Sequence, residues 1–363
     1  MKQHEPSAKI HGLKLIATLT IVVTAISSCG TKPVQAPGKS WHHLSNGEFR
    51  NPIGTAPSTA SISDMMSFFI RRMRDKPPQI PSDHVVPQAT ALQDFAATNG
   101  ENTVTWLGHA AFLLHLDGKN ILTDPYLTEI AGPFSFGPSR YVAPGLSADS
   151  LPPIDIVLVS HNHYDHLDAN TINALPGKQR IHVVVPLGLG AFFRERGYTN
   201  VHEHDWFESV ALDGIEIQVL PAIHFSRRGP FDRNRTLWAS FAIRADDTSI
   251  YHSGDTGYGS VFKEIGDKAG PFDLALVAIG AYLPTSIMKT VHITPEEAVQ
   301  LISDIKADTA IGMHWGTVRL TDEDPFEPPV RFRAAGRAAG WENERTRVMK
   351  IGQTLTLRAL QAQ

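Results

Sequence analysis

The sequence predicts a layered α/β domain, and three patterns support this fold class. Short apolar runs typical of buried strands recur along most of the chain, and stretches with helical spacing alternate with them. Several of these runs end directly in histidine or aspartate. The clearest run, residues 157–160, is followed by three histidines and an aspartate: His161, His163, His166 and Asp165. We therefore predict one layered α/β domain at residues 103–363 that carries polar groups at its strand ends.

The composition is that of an ordinary globular protein with a sizeable core. The chain has 363 residues, of which 42% are hydrophobic and 19% are charged. Its formal net charge of -4 shows no basic excess, so we do not expect nucleic-acid binding. The 17 histidines are unusual. We expect four of them to be surface residues without a ligand role: His42, His43, His202 and His204.

The first 28 residues have the pattern of a secretory signal. Three lysines precede an apolar stretch at residues 15–26, and small residues lead to Cys29. The stretch is too short to span a bilayer comfortably. Residues 26–29 resemble a bacterial lipobox, which implies that Cys29 is lipidated and anchors the protein in the cell envelope. The alternative is an ordinary cleaved signal with a chance cysteine.

Further details of the N-terminus bear on location. Gly30, rather than Asp, follows Cys29, which fits sorting to the periplasmic face of an outer membrane. Because Cys29 is the single cysteine, no intramolecular disulfide can form. Residues 29–60 are rich in polar residues, proline and glycine and predict a tether to the domain.

Residues 61–102 predict a helix followed by an extended segment. Ser61 or Ser63 can cap a helix with an apolar stripe that ends near Met73. We favour packing of this stripe on the domain. The alternative is membrane contact, in which Arg71, Arg72 and Arg74 touch lipid phosphates. Four prolines after residue 76 then lead the chain onward in an extended path.

The first half of the domain predicts a β-meander followed by alternating strands and helices. The meander turns at Asp117-Gly118, and a loop rich in proline and glycine follows at residues 133–153. After the 157–160 strand, the patterns predict a helix, a strand and a short helix: residues 169–175, 181–185 and 191–196.

The second half repeats this logic. A strand ends at His224, and a hairpin runs into Gly254-Asp255-Thr256-Gly257, where glycine permits a tight turn beside Asp255. Strands are also predicted at residues 274–279 and 309–314. Between them, Thr294-Pro-Glu-Glu297 is a capping box with proline at the first helical position, which opens a helix to Ile305.

Four strand ends thus deliver groups that can bind metal. They are the loop after residue 160, His224, Asp255 and His314. Imidazoles and carboxylates are ligands that borderline divalent cations such as zinc prefer. Strand ends that converge on one edge of a sheet can build a single site from distant parts of the sequence.

The order and spacing of these residues resemble the metallo-β-lactamase superfamily. This resemblance implies an αβ/βα sandwich with two mixed sheets, outer helices and a binuclear metal centre. A narrower resemblance, to the N-acyl-phosphatidylethanolamine-hydrolysing phospholipase D family, extends from about residue 103 to 329, with an earlier start at Phe49-Arg-Asn-Pro52 as the alternative. Its motifs are residues 160–168, 237–241, 254–258, 270–275, 279–282, 292–298 and 314–317. The chain departs from the family pattern at Ala239 and at Leu283-Pro-Thr, which bear on lipid preference.

The resemblance implies a role for each matching residue. Two zinc ions, or other divalent metals, would be held by two ligand sets: His161, His163 and His224, and Asp165, His166 and His314. Asp255 would bridge the two ions. The catalytic residues would be Asp165 and Asp255 at the metals, with His292 protonating the leaving group or contacting phosphate. His109 would contact a ligand or have a structural role.

The function implied is hydrolysis of N-acyl-phosphatidylethanolamine to phosphatidic acid and an N-acylethanolamine. A lipid anchor would hold such a phosphodiesterase at its phospholipid substrate, and the resemblance also implies a homodimer. One alternative is a hydrolase of small esters or lactones, similar to ascorbate-phosphate lactonases. Another is a non-enzymatic envelope lipoprotein that binds metal.

Overall fold

The computed structural model describes residues 34–55, 59–74, 77–133 and 136–361. The predicted signal peptide at residues 1–28 and the predicted lipidation site Cys29 lie outside these ranges. No helix within the described ranges is long and apolar enough to cross a membrane.

Within the described residues, the strands form two seven-stranded sheets. In chain order the strands are β1 (Thr103–Gly108), β2 (Ala111–Leu116), β3 (Lys119–Thr123), β4 (Ile156–Leu158), β5 (His182–Pro186), β6 (Asn200–His204), β7 (Ser209–Leu212), β8 (Ile215–Leu220), β9 (Ser240–Ala245), β10 (Thr248–His252), β11 (Phe272–Ala278), β12 (Ala307–Met313), β13 (Thr346–Arg347) and β14 (Thr354–Thr356). The sheet orders are β14-β1-β2-β3-β4-β5-β6 and β13-β12-β11-β10-β9-β8-β7.

The helices lie before, between and after these strands. They are α1 (Ile62–Arg74), α2 (Gln88–Ala97), α3 (Ala169–Ala174), α4 (Gly190–Arg194), α5 (Val261–Lys268), α6 (Thr285–Met288), α7 (Pro295–Asp304), α8 (Glu327–Ala338) and α9 (Leu357–Gln361). Thr294 caps α7, and it forms with Glu297 the reciprocal capping box that the sequence predicts.

Both sheets are mixed, and their strand directions bring particular strand ends to one edge. Strands β3 to β6 are parallel, whereas β1, β2 and β3 form the antiparallel meander. In the second sheet β10 to β13 are parallel, and β8 is antiparallel to β9, which is antiparallel to β10. Strands β8, β10 and β12 therefore run the same way, and the residues that follow them reach the same edge.

Apolar side chains from both sheets fill the space between them. Phe112 and Leu114 of β2 belong to one buried cluster with Ile217 of β8 and Phe241 of β9, and all four are fully buried. Their alternation along each strand turns one face inward, as expected for packed sheets. This shared core fixes the two sheets against each other.

Helices cover the outer faces of both sheets. Phe193 of α4 and Ile172 of α3 pack on the first sheet with Val157 and Val183. Helices α5, α7 and α8 contribute Phe262, Leu301 and Phe332 to the cluster of the second sheet. The layers are therefore helix, sheet, sheet and helix, and the predicted αβ/βα sandwich with two mixed sheets is confirmed.

Residues 34–55 differ from the tether that their composition predicts, because they pack on the domain. His42 and Pro52 are buried. His42 and His43 both bond the carboxylate of Asp205, with each Nε2 lying 2.6 Å from an oxygen. His42 is thus not a surface residue, because a carboxylate 163 positions away pairs with it inside an aromatic cluster.

Helix α1 follows its predicted bounds closely, and it packs on the domain with part of its apolar stripe. Phe69 is buried, whereas Met66 and Ile70 are exposed. Arg71 pairs with Asp322, and Arg72 donates to the backbone carbonyls of Arg319 and Thr321. These arginines tie the helix to the domain, and contact of the helix with a membrane stays a prediction.

Several elements have no counterpart in the sequence prediction. Helix α2 lies in the predicted extended segment, and strands β6 and β7 follow the short helix α4. Strand β6 contains no fully buried position and β7 has only one, at Leu212. Such edge strands lack the apolar run that identifies a buried strand, because tertiary pairing rather than burial maintains them.

Candidate metal centre

The loop after β4 is held in place by its own polar side chains. Asp168 caps α3 by accepting from the backbone N–H of Asn170, and it also accepts from Thr128 and Thr171. The Asn162 side chain accepts from the backbone N–H of Arg227, which ties this loop to the segment after β8. The loop therefore enters and leaves the site at fixed points.

The other predicted ligands follow three strands of the second sheet. His224 follows β8, Asp255 follows β10, and His314 directly follows β12. Gly254 has φ +53°, and a Cβ there would lie 2.7 Å from Cβ of Ser160. The turn before Asp255 thus needs glycine for its backbone conformation and for its approach to the loop after β4.

One group of candidate ligands contains His161, His163, His224 and Asp255, whose ligand atoms lie within 4.8 Å of one another. The Nδ1 atom of His163 lies 2.9 Å from Nε2 of His161 and 3.2 Å from Nε2 of His224. An Asp255 oxygen lies 3.9 Å from Nε2 of His161 and 3.8 Å from Nε2 of His224. Three imidazoles and one carboxylate thus face a common point.

The second group contains His109, Asp165, His166 and His314. An Asp165 oxygen lies 3.6 Å from Nε2 of His166 and 3.8 Å from Nε2 of His314. The same oxygen lies 2.9 Å from Nε2 of His109. His109 therefore contacts a predicted ligand directly, and the structure also places it among the candidate donors.

Asp255 joins the two groups. Its oxygens lie 3.2 Å from Nε2 of His166 and 3.1 Å from Nε2 of His314, in addition to the contacts with the first group. His292 stands at 4.0 Å from Asp255, measured from its Nδ1 atom. The structure thus brings all seven residues predicted as ligands together, with Asp255 between the two sets and His292 beside them.

Asp124, which the sequence analysis did not select, orients a histidine in each group. Its Oδ2 atom accepts from Nδ1 of His166 at 2.8 Å and from the hydroxyl of Ser160 at 2.7 Å. The Ser160 oxygen lies 2.9 Å from Nδ1 of His161. In His224, Nδ1 lies 2.8 Å from the carbonyl of Val291. These contacts turn Nε2 of each histidine towards the site.

The ionisation of the imidazoles suits metal binding. Burial lowers the pKa of His163 and His292 to about 4 and that of His109 to about 3. Burial also holds the pKa of His161 and His224 well below the usual value. These rings are therefore neutral at pH 7, and a neutral imidazole is the form that binds a cation.

The two buried carboxylates favour positive charge on the groups around them. Burial raises the pKa of Asp165 and Asp255, but nearby imidazoles, chiefly His166, outweigh it and hold the pKa well below the usual value. His166 and His314 face both carboxylates. Burial lowers their pKa, yet the carboxylates, Asp255 foremost, raise that of His314 to about 9 and that of His166 well above its usual value. A bound cation would displace a proton from Nε2 of each ring, which then becomes a lone-pair donor, and the cation would neutralise the carboxylates in the proton's place.

Unsatisfied polar atoms provide a direct test of whether metals fit. Nε2 of His166, Nε2 of His314 and Oδ1 of Asp255 are buried, and none of them has a partner in hydrogen-bond geometry among the described residues, although Nε2 of His314 lies 3.1 Å from Oδ1 of Asp255. Such atoms are costly to bury unless something binds them. They are lone-pair donors at the centre of the site, and together with the neutral rings they fit a pair of divalent cations.

Two supporting residues illustrate what the sequence prediction missed. Asp124 follows strand β3 directly, and β3 pairs with β4. Its position at a strand end is the one feature of the sequence that could have identified it as a neighbour of the ligands. Asn51 accepts from the backbone N–H of His224, and it reaches this residue because residues 34–55 pack on the domain. The motif Phe49-Arg-Asn-Pro52 includes Asn51 in the family resemblance but implies no contact with the site.

Comparison with known proteins agrees with this architecture. The family model for the Beta-lactamase superfamily domain matches residues 119–315. A metallo hydrolase from Ignicoccus hospitalis has a similar solved structure, with a TM-score of 0.53, 23% identity, and coverage of 70% of this chain and 97% of the other. At this identity the likeness concerns the fold alone.

Two curated relatives are more similar in sequence. An uncharacterized protein of Mycobacterium tuberculosis is 43% identical over 239 residues, which are 64% of this chain and 63% of that protein. The chain thus spans less than two thirds of that relative. N-acyl-phosphatidylethanolamine-hydrolyzing phospholipase D 1 of Caenorhabditis elegans is 40% identical over 273 residues, which are 70% of this chain and 76% of that enzyme.

Proposed function

This chain belongs to the metallo-β-lactamase superfamily and is a metal-dependent hydrolase, and from that premise we propose that it is a phospholipase D-type phosphodiesterase. Its substrate in this proposal is N-acyl-phosphatidylethanolamine, and its products are phosphatidic acid and an N-acylethanolamine. The observation that carries the proposal is the pair of ligand groups joined by Asp255. The substrate assignment is supported by the similarity to the C. elegans enzyme.

Two cations fit the chemistry of a phosphodiester. When bound, such a pair, zinc in our proposal, lowers the pKa of a water and stabilises the charge that gathers on the phosphate oxygens. The protein's contribution is to hold its donors rigidly: Asp124 orients His166 and, through Ser160, His161. Asp165, fixed by His109, can orient the attacking hydroxide through a carboxylate oxygen.

His292 is proposed to act on the substrate side. Its ring lies beside Asp255, and the Nδ1 atom is buried without a hydrogen-bond partner among the described residues. Because burial lowers its pKa to about 4, the ring is neutral at pH 7 and contacts a phosphate oxygen through its N–H. A bound anionic phosphodiester favours the protonated ring, which allows a proton to pass to the leaving alkoxide.

The test is hydrolysis by the purified, zinc-loaded protein of N-acyl-phosphatidylethanolamine in mixed micelles. We expect release of an N-acylethanolamine, and in ¹⁸O-labelled water we expect the label in phosphatidic acid, because water attacks phosphorus. Asp255→Asn serves as the inactive control. No release from the fully loaded protein would reject the lipid substrate, and turnover of small lactones alone would favour the ester or lactone hydrolase.

A place at the cell envelope is part of the same proposal. A protein anchored through Cys29 would meet phospholipid head groups at high effective concentration. Treatment of the producing cells with globomycin should then yield a precursor of higher mass, and Cys29→Ala should release the protein from membranes. An unchanged mass after globomycin treatment and an unchanged membrane association of Cys29→Ala would reject lipidation without bearing on the metal centre.

A further inference from the structure

We propose that the segment at residues 34–55, here termed the N-terminal arm, is part of the metal centre, and that Asn51 is a positioning residue for His224. The arm lies outside the region matched by the family model, which begins at residue 119. It nevertheless reaches a candidate ligand, and the contact is made by one side chain. The inference requires the metal centre but not the lipid substrate.

The Asn51 carboxamide oxygen accepts two hydrogen bonds. One comes from the backbone N–H of His224 at 2.9 Å, and the other comes from the indole Nε1–H of Trp238, also at 2.9 Å. Trp238 is almost fully buried, and its Nε1 also lies 3.0 Å from the carbonyl of Ala222. Asn51 therefore joins the backbone of His224 to a rigid aromatic side chain of the core.

His224 is consequently held from two sides before any ion binds. The backbone N–H is fixed by Asn51, and the ring Nδ1 is fixed by the carbonyl of Val291. Nε2 is then left to face His163 and Asp255. His224 follows the end of β8 and lies outside any described helix or strand. The hydrogen bonds of a regular helix or sheet therefore do not fix its backbone. Loss of the Asn51 bond would let the ring move away from its group.

The arm is fastened to the domain on the N-terminal side of Asn51, which gives the contact its rigidity. The paired bonds of His42 and His43 to Asp205 hold its first part. The backbone N–H of Phe49 donates to the carbonyl of Asn234. A flexible tether would lose conformational entropy when Asn51 formed this contact. In the clamped arm the backbone is already ordered, so the carboxamide is held beside His224.

Cobalt binding measures the inference directly. Wild type, Asn51→Ala, Asn51→Asp and Asn46→Ala are each titrated with Co²⁺ in competition with a chelator, and bound metal is counted by elemental analysis. Asn46 is a matched control on the same arm, because its side chain accepts only from the local backbone N–H of Glu48 in the described structure. A His163→Ala chain supplies the reference absorption spectrum of a protein impaired in the His224 group.

We expect Asn51→Ala to weaken one of the two cobalt sites by about 10–100-fold, the usual effect of removing a contact that orients a ligand. Its spectrum should approach that of His163→Ala. Asn51→Asp should retain both ions within about threefold, because a carboxylate oxygen accepts the same two bonds, and Asn46→Ala should match wild type.

Three outcomes would overturn the inference. Undiminished cobalt binding by Asn51→Ala would show that His224 needs no support from the arm. Equal loss in Asn51→Asp and Asn51→Ala would show that an acceptor oxygen is not the requirement. Simultaneous loss of both ions, or of the folded state seen by circular dichroism, would show that the side chain supports the fold rather than His224.

Discussion

Asp124 supports both halves of the metal centre, so its substitution should weaken both. In Asp124→Asn one carboxylate oxygen becomes an NH₂ group, which can only donate. Oδ1 accepts from the backbone N–H of Ser160 at 2.7 Å, and Oδ2 accepts from His166 and from the Ser160 hydroxyl. Either orientation of the amide therefore places a donor against a donor.

The magnitude follows from these bonds. A hydrogen bond to a charged group contributes about 1.5–3 kcal/mol to stability. Removal of a group that orients a metal ligand typically costs about 10–100-fold in metal affinity, which is about 1.4–2.7 kcal/mol. We expect a loss in this range at both sites, because the chain from Asp124 reaches His166 of one group and, through Ser160, His161 of the other.

The assay is chelator competition with zinc or cobalt, read for both sites in wild type and variant. Asp273→Asn is the matched control, since Asp273 accepts from the backbone N–H and the hydroxyl of Ser249 but from no candidate ligand. It should lower the thermal midpoint while leaving the metal affinity within about threefold. Wild-type affinity in Asp124→Asn, or an equal loss in Asp273→Asn, would refute the orienting role.

Further predictions concern stability. Gly254→Ala should lower the free energy of unfolding by about 2–5 kcal/mol in denaturant titrations, because its positive φ disfavours a side chain and the new Cβ would collide with Ser160. Glu323→Gln should lower it by about 2 kcal/mol, since the buried Glu323 carboxylate accepts from the backbone N–H of Ala281, whose φ is +66°; no change would exclude that role. Burial raises the pKa of Asp205, but hydrogen bonds from the two arm histidines lower it to about 2. A depressed pKa stabilises the fold above the unfolded value near 4, so the difference of about 2 kcal/mol between wild type and Asp205→Asn should persist from pH 7 to about 4 and close towards pH 2.

Local sequence patterns were sufficient to predict much of the scaffold. The strand that precedes His161 and the capping box at Thr294 were predicted from apolar runs and from side chains that act within one turn. The ligands were recognisable because imidazole and carboxylate groups rarely cluster so closely after buried strands. The resemblance to a known superfamily then implied how the four strand ends combine.

Composition predicts the wrong structure where distant segments meet. Residues 34–55 have the polar composition of a linker, yet His42 and His43 pair with Asp205 more than 160 positions later. Edge strands such as β6 and β7 carry no buried run. The structure of such segments depends on residues that the fold brings beside them, and the local sequence does not show which residues those are.

The sequence by itself determined which groups can bind metal and which strands carry them, because both follow from residue type and short-range order. Only the tertiary structure decided how those groups are held. Asp124 reaches two ligands because β3 pairs with β4, and Asn51 reaches His224 across 173 positions because the arm is clamped to the domain. Such contacts depend on strand register and chain path, which are set by the packing of the whole core rather than by any one segment.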